Sequence, residues 1–168
     1  ATEATRAVAT VVPASDEHGF KDLFDLYRSR LDAVGDELAS RGMHLGLAIT
    51  PEADVREGRS HQFITTYDEL LGLVGAAHSQ VGAVVDAWAL HVTGESPDVI
   101  GRVPAGRIVE VRLSDAPREA AGRSLTHTQR LMPGETGVIN TAAVLAAAKA
   151  AGFVGPVTPY ADRSTLVG

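Results

Sequence analysis

A chain of 168 residues suits one domain with a sizeable core, and 45% hydrophobic against 21% charged residues is ordinary for a globular protein. A net charge of -6 excludes generic nucleic-acid binding, which needs a basic surface, and no apolar run approaches the roughly 20 residues of a membrane span. The absence of cysteine excludes disulfides and thiolate metal centres; with no charged-then-apolar leader, the cytoplasm is the expected compartment.

Ala7-Val8-Ala9-Thr10-Val11-Val12 is a β-branched run closed by Pro13 and predicts a buried strand. Phe20, Leu23, Phe24, Tyr27, Leu31, Val34 and Leu38 then recur at helical spacings, which predicts a long amphipathic helix from Phe20 to Arg41 stopped by Gly42. Leu45 to Thr50 reads as the next strand, ended by Pro51. Residues 52–64 are polar and read as a loop in which Glu52, Asp54 and Glu57 form a solvated acidic cluster. Thr66 to Ala77 reads as a helix, Val81 to Asp86 as a third strand, Pro97 to Val103 as a short helix and Arg107 to Leu113 as a fourth strand. Ser114 to Gly137 is long and polar for a connection. Thr141 to Ala151 is an Ala-rich helix ended by Gly152, and Val154 to Tyr160 is the last strand. Strand and helix alternate throughout residues 1–168, the pattern of a single α/β domain with a parallel sheet and helical crossovers.

Several segments resemble one family in order along the chain. Arg59-Ser60-His61-Gln62-Phe63-Ile64-Thr65-Thr66 and Val81-Gly82-Ala83-Val84-Val85-Asp86-Ala87-Trp88 come first, then Arg107 to Pro117, Leu131 to Ile139 and Gly152 to Thr158. Together they are similar to the xylose-isomerase-like TIM barrels, which include sugar epimerases and endonuclease-four-type enzymes. The resemblance implies a parallel (β/α) barrel of TIM type, here partial, with Ala7–Val12 as strand four and Pro156–Tyr160 as strand eight of eight. A complete barrel takes about 250 residues. Closure therefore predicts either a stretch of a longer protein or a partial barrel that pairs with another copy, a homo-oligomer formed through its open edges.

Active sites of such barrels lie at the carboxyl ends of the strands. The resemblance implies a divalent metal held there by glutamate, aspartate, histidine and glutamate from four successive strands. On this chain those positions are Ala48, Asp86, Arg112 and Tyr160, and a histidine that often follows the aspartate is Ala89. One carboxylate does not hold a catalytic metal, and Arg112 brings a permanent cation to the same place. The expectation is an isomerase or epimerase relative with a degenerate metal site, inactive by the family's metal-dependent proton transfer and needing no cofactor. One alternative is a non-catalytic binding or scaffold domain. A second is a metal-dependent sugar isomerase that recruits Mn, Mg or Zn through relocated ligands, drawn from Glu52, His61 or His91.

Asp86 and Arg112 belong to neighbouring strands at one level, so the guanidinium can fill the vacated metal position. It forms there either a structural ion pair or a site for an anionic or carbonyl-bearing ligand that Asp86 orients. Glu110 shares the strand parity of Arg112 and is its alternative partner. Asp86, Arg112 and Tyr160 are the catalytic candidates; Tyr160 can donate a proton or a hydrogen bond at the mouth or pack there, and Trp88 can wall a ligand or pack in the core. His91, on the loop after Asp86, and His61, in the loop after the second strand, are weaker ligand candidates. His127 has no second carboxylate or imidazole near it in sequence and reads as solvated. Gly134-Glu135-Thr136-Gly137 lacks the lysine and spacing of a phosphate loop, and no serine or cysteine nucleophile motif is visible. The partner implied by kinship is a small molecule, a sugar or sugar acid, with no membrane.

Overall fold

The computed structural model describes residues 4–119 and 125–166. Its elements in chain order are β1 (Arg6–Thr10), β2 (Ala14–Ser15), α1 (Phe20–Ser40), β3 (His44–Ala48), β4 (His61–Gln62), α2 (Tyr67–Ala76), β5 (Val81–Asp86), α3 (Ala87–Thr93), β6 (Ile108–Leu113), α4 (Thr141–Ala150) and β7 (Val157–Pro159). β1, β3, β5, β6 and β7 form one five-stranded sheet in that order, every pair parallel. Sequential parallel strands with intervening helices are five consecutive units of a TIM-type barrel, as the alternation of the sequence predicts.

The centre of the sheet is β5, buried along its whole length. Two glycines let the strands close in around it. A Cβ on Gly82 would lie 2.0 Å from the carbonyl oxygen of Arg107, and one on Gly46 would lie 2.9 Å from side-chain atoms of Val84 and Val109. Ala83 pairs with Ile108 but Val84 with Glu110, so Val109 is an extra residue in β6. This bulge brings Asp86 level with Arg112, as the resemblance implies.

The edges depart from expectation. The predicted buried strand at Ala7–Val12 is an exposed edge, with Val8 39% accessible and full burial reached only at Val11, because no strand among the described residues pairs with the outer side of β1. The opposite edge, β7, leaves Val157 44% accessible. Beside β1, Val12, Leu23, Tyr27, Leu31 and Val34 line an open apolar groove on α1.

Three local corrections bear on the site. First, α3 starts directly after β5 with no intervening loop, so His91 sits on a helix and not on a loop. Asp86 itself is the N-cap, its Oδ1 accepting the Trp88 backbone N–H at 3.0 Å, and Gly94 ends the helix in the left-handed conformation. Second, Pro97–Arg102 is a 3-10 segment. Third, residues 52–64 are not all loop: Asp54–Arg56 form a 3-10 turn, and β4 pairs antiparallel with β2. Residues 120–124 of the predicted long connection, including Ser124, lie outside the described residues.

A candidate ligand pocket at the strand ends

A cavity of about 340 Å³ opens at the carboxyl ends of the strands, where barrel chemistry is expected. Its lining includes Ala48, Glu52, Asp86, Arg112, Arg130 and Tyr160.

Asp86 is fixed from below. Tyr67 is fully buried; its hydroxyl donates to the Val84 carbonyl at 3.0 Å and accepts the Asp86 backbone N–H at 2.5 Å. Burial first, and then the negative charge of Asp86, push the Tyr67 phenol above its ordinary range, so it stays neutral and holds the strand end. Tyr67 is itself placed by a doubly secured helix start. Thr66 and Glu69 form a capping box, and the Glu95 carboxylate accepts the Tyr67 N–H.

The predicted Asp86–Arg112 pair does not form. Asp86 Oδ2 instead accepts Nη1 of Arg130 at 2.7 Å, and Arg112 Nε donates to Glu110 Oε2 at 3.1 Å, the alternative that strand parity offers. Thr158 on β7 holds the other Glu110 oxygen at 2.6 Å. Tyr160 lies between the two cations: the guanidinium carbons of Arg112 and Arg130 each sit 4.8 Å from its ring centre.

Arg130 is the residue that sequence reasoning missed. It is 7% accessible, and its carbon lies 5.2 Å from the Trp88 ring. Its backbone is delivered by Asp115. That residue and Leu131 exchange two backbone hydrogen bonds of 3.0 Å, while the Asp162 N–H and the Thr165 hydroxyl hold the Arg130 carbonyl. The Asp115 carboxylate in turn gathers the backbone N–H groups of Ala116, Thr136, Gly137 and Ile139. Burial works to raise its pKa, but these donors together hold the carboxyl well below the ordinary range. In Gly134-Glu135-Thr136-Gly137 the backbone donors of Thr136 and Gly137 thus serve an internal carboxylate.

Glu52 corrects a second expectation. Asp54 and Glu57 are exposed, but Glu52 is 1% accessible and forms part of the pocket. Its Oε1 accepts the indole N–H of Trp88 at 2.8 Å and lies 4.0 Å from Nη2 of Arg130, while Oε2 is buried without a partner. Trp88 is completely buried and outside the cavity lining, where it contacts Glu52 and Arg130. His61 is exposed on β4, and His91 on α3 is outside the cavity lining. His127 lies at the rim of the cavity, exposed.

The divalent metal that the resemblance implies does not fit these residues. Both oxygens of Asp86 are engaged, one by a cation. Ala48 has no donor atom, Arg112 is a cation, and no three His, Asp or Glu side chains converge as a ligand group among the described residues.

Fold and pocket together define a β/α barrel segment with a strand-end site. The chain belongs to the xylose isomerase-like TIM barrel family, whose model matches residues 3–162. A xylose isomerase domain protein from Alicyclobacillus acidocaldarius is 26% identical over 94% of this chain, with a TM-score of 0.83. The zinc-binding IOLI protein (18% identity, TM-score 0.77, 97% of this chain) and an L-ribulose 3-epimerase (16%, 0.69, 95%) share the fold. This chain spans 55%, 56% and 48% of the lengths of those three proteins. No curated protein matches it significantly. Among the described residues no helix is long and apolar enough to cross a membrane.

Proposed function

We propose that this domain is a sugar isomerase/epimerase relative that has replaced metal chemistry with an arginine-lined pocket for a small anionic ligand. The observation that carries this reading is the Arg130 guanidinium on Asp86, the one retained metal-ligand position. A buried cation bonded to the carboxylate neutralises it and occupies its outward oxygen, so a divalent ion would have to displace a paired charge.

Arg112 supplies the anion-binding end. Only its Nε is engaged, by Glu110, and its two terminal nitrogens have no hydrogen-bond partner among the described residues. A guanidinium held by Nε and stacked on Tyr160 presents these donors in a fixed fork suited to a carboxylate or phosphate. Asp86 and Arg130 shape the floor. In this reading family-type proton transfer on a metal is absent, and turnover, where present, relies on this chain's own acids and bases.

Thermal-shift screening of the purified protein against sugars, sugar acids and sugar phosphates tests the reading. An acid that stabilises wild type and leaves Arg112→Ala unshifted supports it. One tightly held divalent ion per chain, together with sugar epimerisation abolished by Asp86→Ala, would overturn it. A turnover assay on any stabilising acid then separates an enzyme from a binding domain.

A further inference from the structure

The orphaned oxygen of Glu52 gives the pocket a second pole. A buried carboxylate oxygen without a donor costs on the order of 1–3 kcal/mol, so such an atom marks a place where a donor belongs. The protein supplies one donor to Glu52, the Trp88 indole, on Oε1. Oε2 receives none, although Thr10 and Thr50 line the same cavity. Thr50, His127 and Asp162 add further polar side chains to the lining of the cavity that Glu52 and Arg112 share. Ligand hydroxyls find donors and acceptors among these side chains.

We infer that the pocket takes a polyhydroxy acid, with its carboxylate on Arg112 and a ligand hydroxyl donating to Glu52 Oε2. This rests on the anion-binding reading above and adds Glu52 as the residue that selects for hydroxyl groups. Glu52 is suited to that role because its position is already locked by Trp88, so little side-chain entropy is lost when the second oxygen is engaged.

The only tryptophan of the chain makes the site readable. In 15N-labelled protein a single indole N–H resonance reports on Glu52. Titration is made with three probes of one chain length: D-gluconate, which has both poles; hexanoate, which lacks the hydroxyls; and D-glucitol, which lacks the carboxylate. The expected result is that gluconate shifts the indole resonance and binds about tenfold or more tighter than either single-pole probe. Glu52→Leu brings gluconate down to the affinity of hexanoate and leaves hexanoate unchanged. Glu52→Gln keeps an acceptor for Trp88 and a folded site, and weakens gluconate several-fold because a neutral partner replaces a charged one.

Equal affinity for gluconate and hexanoate in wild type, with no indole shift, overturns the assignment of Glu52 while leaving the anion reading standing. A hydroxyl preference that survives both Glu52 variants does the same. Equal affinity for gluconate and glucitol overturns the anion reading itself.

Discussion

Removing the Arg130 side chain tests the structural core of the site. Arg130→Ala leaves Asp86 (4% accessible) and Glu52 (1%) with no ion-pair partner within 4 Å among the described residues. Stripping one partner from a buried ion pair costs about 3–5 kcal/mol, because the remaining charge is left desolvated. For a domain of this size each kcal/mol moves the melting temperature by about 2–4 °C, so the loss corresponds to roughly 6–20 °C. Adding Asp86→Asn to Arg130→Ala removes the stranded charge and should recover part of the loss, giving a coupling energy within the range of about 0.5–3 kcal/mol seen for contacting residues. Differential scanning calorimetry and urea denaturation of the four proteins in the cycle measure it. An Arg130→Ala protein melting within about 2 °C of wild type, with additive effects in the double mutant, would refute the pairing.

Three further outcomes follow from named contacts. Asp115→Ala leaves four backbone N–H groups without their acceptor and frees the segment that carries Arg130, so it should cost about 3 kcal/mol or more by urea denaturation. Because the folded-state pKa of Asp115 is depressed, its contribution is fully present above the ordinary carboxylate range and is lost as pH falls below about 4. The stability of wild type should therefore drop in acid more steeply than that of Asp115→Asn, and parallel pH profiles would contradict this. Gly82→Ala forces a methyl into the Arg107 carbonyl at 2.0 Å and should cost at least the 1–3 kcal/mol typical of overpacking, seen as a lowered urea midpoint. Tyr160→Leu removes the ring shared by Arg112 and Arg130 and should weaken anion binding by calorimetry, whereas Tyr160→Phe, which keeps the ring, should not.

The fold was legible because each central strand is a short apolar run and each long helix carries its own periodicity and stop. Val81–Asp86 and the helix starting at Phe20 stand where the sequence puts them. α3 was not legible, since it follows β5 without a turn and the apolar residues on both sides of Asp86 give no loop signal. Edge exposure was hidden for a different reason: β-branched residues mark a strand but not whether a neighbour covers it.

The site was half legible. The family resemblance places Asp86 level with Arg112, and strand parity offers Glu110 as the partner that Arg112 takes. Arg130 lies 44 residues from Asp86 in a polar connection, and nothing in its local pattern shows that Asp115 will fold that connection back over the strand ends. Glu52 looked solvated beside Asp54 and Glu57. The available signal was its position just past the β3 end and directly after Pro51, where a barrel turns its chain over the mouth.

The Arg130 guanidinium covers Asp86, the one retained position of the metal site that the family resemblance implies. Titration of the purified protein with Mn2+, followed by electron paramagnetic resonance of the free ion, tests it most directly. Wild type should leave the free-ion signal undiminished at stoichiometric Mn2+. Stoichiometric capture of Mn2+ by wild type, lost in Asp86→Ala, would contradict the account.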